Sequence, residues 1–409
     1  MLRISCVSAT RNSNAYRSLG RSIYSAPRLQ KSTEAADAIC SSKLRLGVLG
    51  LGAIGTIFFT RLGRLATSSK ADRELPTLTL DAFIKPDRFD NWVAKEKLQL
   101  CLQGPNEEIL EFRLTSKKMA VLLDTPNVRV RTLDSEGKDG CDDKLDVLLV
   151  AVKAYDNVGV IRELRDKNKH LLKDDALCVL LQNGLGEVPE ETTSGSTGVE
   201  DRWQFANGVT FVGGRVTEFG NVVASGLDVG MTYLAPFGGS ERELRMRKEH
   251  HVKMNMLAQL LLATGLRCEV LERNKMQAML WRKLIVNAAI NPLASLLDAP
   301  NKSVASSEGS RHCVQMVVQE AFDVAKSEQI PVNCSQNELV DDILEVARNT
   351  GNNVCSMLAD LRRGSKTEID AITGRIVAGG KRHGVPTPTN GLLLSLIKAL
   401  EEDGTRRIE

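Results

Sequence analysis

"KLRLGVLGLGAIGTIFFTRLGRLA", residues 43–66, reads as a short buried strand, a glycine turn and a helix with apolar periodicity. Within it, Gly50-Leu51-Gly52-Ala53-Ile54-Gly55 spells G-x-G-x-x-G. The first glycine of such a turn permits the tight bend, the second lets backbone approach a pyrophosphate, and the third allows close strand–helix packing. The phosphate then rests on the helix N-terminus. In a chain with 32 glycines the pattern alone is weak. Its position in the first β-α unit makes it a dinucleotide signature ahead of a merely structural turn.

The next strand, "TLTLDAFI", supports a particular cofactor. An NAD site normally ends this strand in Asp or Glu, which holds the ribose 2′-hydroxyl. Here the strand ends in Lys85, with Arg88 close behind, and Asp81 lies mid-strand. Cations at that place suit the 2′-phosphate of NADPH. The plain alternative is that Lys85 and Arg88 are solvated surface residues.

Further along, "VRVRTL", "LDVLLVAVKAYD" and "ALCVLLQNGLGE" read as strands, the latter two as the continuous apolar runs of a parallel sheet. "QFANGVTFVGGRV", "GNVVASG" and "MTYLAPFGG" look like shorter strands completing it. The polar stretches 191–201 and 238–251 are expected to be loops or an irregular helix start. From about Asn255 the character turns helical, from "MNMLAQLLLATG" to "GLLLSLIKALEE". The expected architecture is an α/β Rossmann-like N-terminal domain (43–254) followed by an all-α C-terminal domain (255–409), with the active site in the interdomain cleft.

Composition narrows the function classes. The chain has 409 residues, 42% hydrophobic and 26% charged, with a formal net charge of +3, so no overall field argues for nucleic acid. No apolar run is long enough to span a membrane. The nine cysteines are irregularly spaced without a C-x-x-C pair, which fits reduced, buried thiols. The five histidines lie apart from one another and from acidic pairs at ligand spacing, so no metal site is expected.

Residues 1–42 differ from the rest: Arg3, Arg11, Arg17, Arg21, Arg28 and Lys31 stand among many serines with no acid before Glu34. That is the composition of a mitochondrial transit peptide, which favours the mitochondrial matrix over the cytoplasm; a disordered basic tail without a targeting role is the alternative.

In "AMLWRKLIVNAAINPLASLLD", residues 278–298, Lys283, Asn287 and Asn291 recur at steps of four within an apolar helix. The three side chains share one face. A lysine buried beside two amides is costly unless something polar fills the space between them. Reduction of a 2-oxo acid develops negative charge on the carbonyl oxygen, which a positioned cation able to release a proton both stabilises and quenches. Lysine suits that role when burial lowers its pKa, and asparagines bind hydroxyl and carboxylate oxygens without competing charge. A small hydroxylated oxo acid fits this face.

The ordered set "GLGAIG", "VKAYD", "QNGLG", "WRKLIVNAAINPL", "SML-D" and "TEID", from about residue 44 to 400, resembles 2-dehydropantoate 2-reductase (ketopantoate reductase), the NADPH-dependent step of pantothenate synthesis. The resemblance implies Lys283 as proton donor, with Asn287, Asn291 and Asn301 holding substrate and Ser356 in a cradle for its carboxylate. Lys153 and Asn183 are similar to residues lining nicotinamide and ribose, Asn183 also near substrate. Glu368 resembles the acid that closes over cofactor and substrate, and Gly214 aligns loosely with a cofactor contact.

Each position also has a plainer reading. Lys283 snorkels to solvent, Asn291 bridges the bond lost to Pro292, Ser365 and Glu368 form a capping box, Asn183-Gly184 is a turn, and Lys153 is a surface residue. Two rival functions stand beside ketopantoate reduction. One is a related reductase of another 2-oxo or 3-hydroxy acid; the other is a non-catalytic NADP-binding mitochondrial protein. Oligomeric state is open, a homodimer included.

Overall fold

The structure, a computed structural model, describes residues 43–68, 75–95, 98–104, 106–134, 144–185, 188–189, 203–237 and 241–403. The basic segment 1–42 and the polar stretch 191–201 lie outside them. Chain contacts divide the described residues into two compact units, one from Lys43 to Met276 and one from Gln277 onward.

The first unit is built on a sheet. Its central strands are β1 (Lys43–Leu49), β2 (Thr77–Ile84), β6 (Thr125–Thr132), β7 (Leu145–Val150), β8 (Leu172–Leu180) and β9 (Gln204–Thr210). They run parallel in the order β6-β2-β1-β7-β8-β9. The continuous apolar runs are what a sheet covered on both faces demands: every residue of β7 is buried. On one face, helix α1 (Ala53–Thr67) sets Ile57, Phe58, Phe59 and Leu62 against Leu80, Phe112 and Val128. On the other, α3 (Asn157–Lys167) packs Ile161 and Leu164 with Leu145, Leu148 and Leu180. The short α2 (Pro86–Ala94) follows β2 directly.

Beyond β6 the sheet continues through β5 (Met119–Leu122), β4 (Glu108–Ser116) and β3 (Gln99–Gln103), then β11 (Asn221–Ser225) and β10 (Gly213–Glu218) at the edge. The opposite edge is β12 (Met231–Pro236), antiparallel to β9, and β13 (Arg267–Val270), parallel to β12.

The helical character that begins near residue 255 belongs in part to this first unit. Helix α4 spans Glu241–Ala263 and takes in most of the stretch 238–251 expected to be irregular. Its Met254, Leu257, Leu260 and Leu261 join the sheet's core, and β13 after it completes the sheet. The units therefore divide at Met276–Gln277 rather than at 254–255, because apolar burial against the sheet holds α4 there.

The second unit contains only helices among its described residues: α5 (Arg273–Leu296, begun in the first unit), α6 (Glu308–Ser327), α7 (Gln336–Asn349), α8 (Ser356–Arg362), α9 (Ile369–His383) and α10 (Pro388–Asp403). Polar bonds fix their register. Arg282 on α5 pairs with Asp342 on α7. Buried Glu320 on α6 accepts from the backbone N–H groups of Thr389 (2.8 Å) and Asn390 (2.9 Å) at the start of α10. No described helix is long and apolar enough to cross a membrane.

Candidate active site

In the sheet unit, backbone hydrogen bonds continue one residue past the strand ends. Gly50 N donates to Phe83 O (2.9 Å), Ala151 N to Leu49 O (2.8 Å) and Leu181 N to Val150 O (2.9 Å). The loops carrying Lys85, Gly50–Gly55, Lys153 and Asn183 thus leave the same edge of the sheet side by side. After β1 the chain places β2 on one side and β7 on the other, and in open α/β sheets ligands bind beyond the strand C-termini at such a reversal.

The glycine turn is shaped as a cradle. Gly50 adopts φ +93°, a conformation that L side chains rarely enter. A Cβ on Gly55 would collide with the Gly50 carbonyl oxygen, so that position serves the close helix–turn contact. A Cβ on Gly52 would meet nothing within 4 Å, which leaves open space at the N-cap of α1. That cap makes no side-chain hydrogen bond and the first turn holds no acid, so the free N–H groups and the helix dipole fit an anion such as a pyrophosphate. Leu51 is buried and Ala53 and Ile54 pack against the core, so these three side chains belong to the fold.

Gly214, on β10, has a packing reason of its own. A Cβ there would come within 2.8 Å of Ile57 Cδ1 and 3.2 Å of Ala53 Cβ.

At the end of β2, Lys85 is exposed, with Nζ 3.7 Å from Asp156 Oδ2, and the Arg88 guanidinium lies 5.8 Å from the centre of the Phe219 ring. Asp81 is buried and held by both nitrogens of a fork from Arg129 (2.6 and 2.8 Å), so its carboxylate is spent inside the sheet. Lys153 and Asn183 are half-buried, each just past a strand. Beside them lies a pair the sequence reading passed over: buried Gln182 donates through Nε2 to Val150 O (3.0 Å) and to Asn157 Oδ1 (2.8 Å). The signal was an uncharged amide closing an apolar run, "ALCVLLQ".

In the helical unit, Lys283, Asn287 and Asn291 follow one another along α5. Lys283 and Asn287 keep some exposed surface, while Asn291 is buried. Burial pushes the Lys283 ammonium down from 10.5 to about 8, opposed by the Glu368 carboxylate, which favours its charged form. Glu368 is itself buried.

The capping box expected from Ser365 and Glu368 does not form. Helix α9 starts at Ile369 with Glu368 at its N-cap position and no side-chain cap bond. Instead Ser365 N bonds to Asp360 O (2.9 Å), Thr367 N to Glu401 Oε1 (2.6 Å), and Ile369 N to Thr367 Oγ1 (3.1 Å). The capping box of this unit joins Ser335 and Glu338, at the start of α7.

Ser356 is the first residue of α8 and is exposed. Cys355, just before it, lies 3.7 Å from both the Asn291 carbonyl oxygen and Ser295 Oγ, and its sulfur accepts from Leu358 N (3.4 Å). These contacts dock the start of α8 on the Asn291 turn of α5. Asn301 is pinned by its own amide: Nδ2 donates to Thr350 Oγ1 (2.9 Å), and its backbone N–H to Asn353 O (3.0 Å). Only its Oδ1, buried and without a partner among the described residues, is left to bind anything else. No described cluster of three His, Cys, Asp or Glu side chains is placed to hold a metal.

The model of the ketopantoate reductase PanE/ApbA family matches residues 46–239, and that of the PanE/ApbA C-terminal region matches 275–401. A 2-dehydropantoate 2-reductase of Pyrobaculum aerophilum is 30% identical over 358 residues, covering 87% of this chain and 98% of that one. Among solved structures, D-mandelate dehydrogenase with NADH and anilino(oxo)acetate superposes with a TM-score of 0.66 at 20% identity, covering 88% of this chain and 99% of that chain. A dimeric ketopantoate reductase of Staphylococcus aureus gives 0.62 at 19%, covering 88% and 100%. At such identities the likeness is one of fold. With both family models matched in order and a relative aligned over nearly its whole length, this chain belongs to the ketopantoate reductase PanE/ApbA family of nicotinamide-dependent oxidoreductases.

Proposed function

We propose that this chain reduces 2-dehydropantoate to pantoate with NADPH, with Lys283 as the proton donor. The observation that carries the proposal is Lys283 on α5, in line with Asn287 and Asn291, its pKa brought to about 8 by burial and steadied by buried Glu368. An ammonium so poised is still charged at neutral pH yet gives up its proton at little cost.

The Gly50–Gly55 turn would hold the pyrophosphate of NADPH, which when bound would supply a hydride for the carbonyl carbon. Lys283 stabilises negative charge developing on the carbonyl oxygen and then protonates it. Asn287 and Asn291 orient the oxo acid through their amides, Ser356 accommodates its carboxylate, and the unspent Asn301 Oδ1 suits a donor such as a substrate hydroxyl. Lys85 and Arg88 hold the 2′-phosphate that selects NADPH. Lys153 and Asn183 steady the nicotinamide and ribose.

The direct experiment follows NADPH oxidation with 2-dehydropantoate by protein beginning at residue 43. A panel of oxo acids lacking the 4-hydroxyl distinguishes the rival, a reductase of another 2-oxo acid, while NADPH binding without turnover on any of them favours a binding protein. We also propose a homodimer, in line with the dimeric S. aureus relative, and delivery of the chain to the mitochondrial matrix by residues 1–42. Sedimentation tests the first. Fusion of those residues to a reporter tests the second, a cytoplasmic reporter contradicting it.

A further inference from the structure

The two loops that leave β7 and β8 are tied by a single buried amide. The Val150 carbonyl, at the end of β7, accepts twice: from Leu181 N (2.9 Å) and from Gln182 Nε2 (3.0 Å). The same Nε2 reaches Asn157 Oδ1 at 2.8 Å. Asn157 is fully buried and opens α3 after the short turn Ala154–Asp156, whose preceding residue is Lys153. Gln182 is followed at once by Asn183, and then by Gly184 at φ +81°. The two acceptors also fix which end of the Gln182 amide is nitrogen.

Two buried amides are a costly way to join strands that already share a backbone ladder, since every polar atom withdrawn from water must be paired. One atom of the pair remains unpaired: Gln182 Oε1 is buried and accepts from no described residue. An apolar pair would join the same strand ends without that cost. What the amides add is a fixed spacing and orientation between the Lys153 loop and the Asn183 loop.

We propose that Gln182 and Asn157 are a positioning pair that sets the Lys153 and Asn183 loops for the nicotinamide half of the cofactor, leaving the adenosine half to the glycine turn and Lys85. The proposal rests on the cofactor reading given above.

The test compares two ligands on the full chain, NADPH and 2′,5′-ADP, the latter lacking the nicotinamide, its ribose and the phosphate that joins them to the adenosine half. In Gln182→Met, similar in size but without the amide, the Kd for NADPH rises at least tenfold while that for 2′,5′-ADP stays within twofold. A merely structural latch weakens both ligands alike, and that result overturns the proposal, as does no change in either. If Gln182→Met does not fold, Gln182→Asn, which keeps the amide one methylene short, is measured with the same ligands and held to the same split. A wild-type chain that binds neither ligand contradicts the cofactor reading itself, and shows this before any variant is made.

Discussion

Glu368 works against burial at Lys283: the buried carboxylate favours the ammonium that its surroundings disfavour, and the balance leaves the lysine at about 8. A donor must be protonated, so turnover is expected to hold below pH 8 and to fall as pH rises through it. Glu368→Gln removes the carboxylate that raises the pKa and moves this alkaline limb to lower pH. A limb that does not move in the pH–rate profile refutes the coupling.

The same shift bears on stability, with its sign set by a folded pKa below the unfolded one. Folding penalises the Lys283 charge fully at neutral pH, and the penalty fades as pH rises from about 8 toward 10.5. Urea unfolding of the wild type, corrected with Lys283→Met, therefore shows a component that grows over that window. A flat difference between the two proteins speaks against a desolvated, shifted lysine.

The glycine turn separates a ligand role from a folding role within four residues. Gly52→Ala introduces a methyl group into open space at an ordinary φ of −74°, so Tm is expected to change little while NADPH binding weakens tenfold or more, on the order of 1.4 kcal/mol. Gly55→Ala drives a methyl group into the Gly50 carbonyl and should cost about 1–3 kcal/mol of stability or more. Gly52→Ala protein that binds NADPH normally removes the pyrophosphate from that turn.

Lys85→Glu places an acid at the end of β2, where Asp156 already lies 3.7 Å from the lysine. The KM for NADPH is expected to rise about tenfold or more, with NADH spared or improved, as repulsion of a 2′-phosphate requires. An unchanged ratio of the two cofactors in steady-state kinetics clears Lys85 of any part in the choice.

Much of this architecture was readable from residue pattern. The apolar runs of β1, β7 and β8 and the G-x-G-x-x-G between β1 and α1 needed no tertiary information, because a parallel strand covered on both faces has no polar positions to hide. Lys283, Asn287 and Asn291 likewise declared themselves by helical spacing. Strands β3 to β5 were missed because in "EILEFRL" apolar Ile109 and Leu114 face outward beside Glu111 and Arg113 while Glu108 is buried, so the residue pattern does not alternate cleanly. The unit boundary was misjudged because α4 has the same composition whether it packs on a sheet or on helices. Ser365 and Glu368 matched the capping spacing, but Asp360 O in the last turn of α8 takes the Ser365 N–H and Glu401 Oε1, far along the chain on α10, takes that of Thr367. The Gln182–Asn157 pair depends on two strands being neighbours, which no local window contains.

The most direct test of the account is single-turnover reduction of 2-dehydropantoate by Lys283→Ala, with NADPH affinity measured on the same sample. The account predicts a rate lower by a factor of about 10² or more with the Kd for NADPH essentially unchanged. Near-normal turnover in that variant would contradict it.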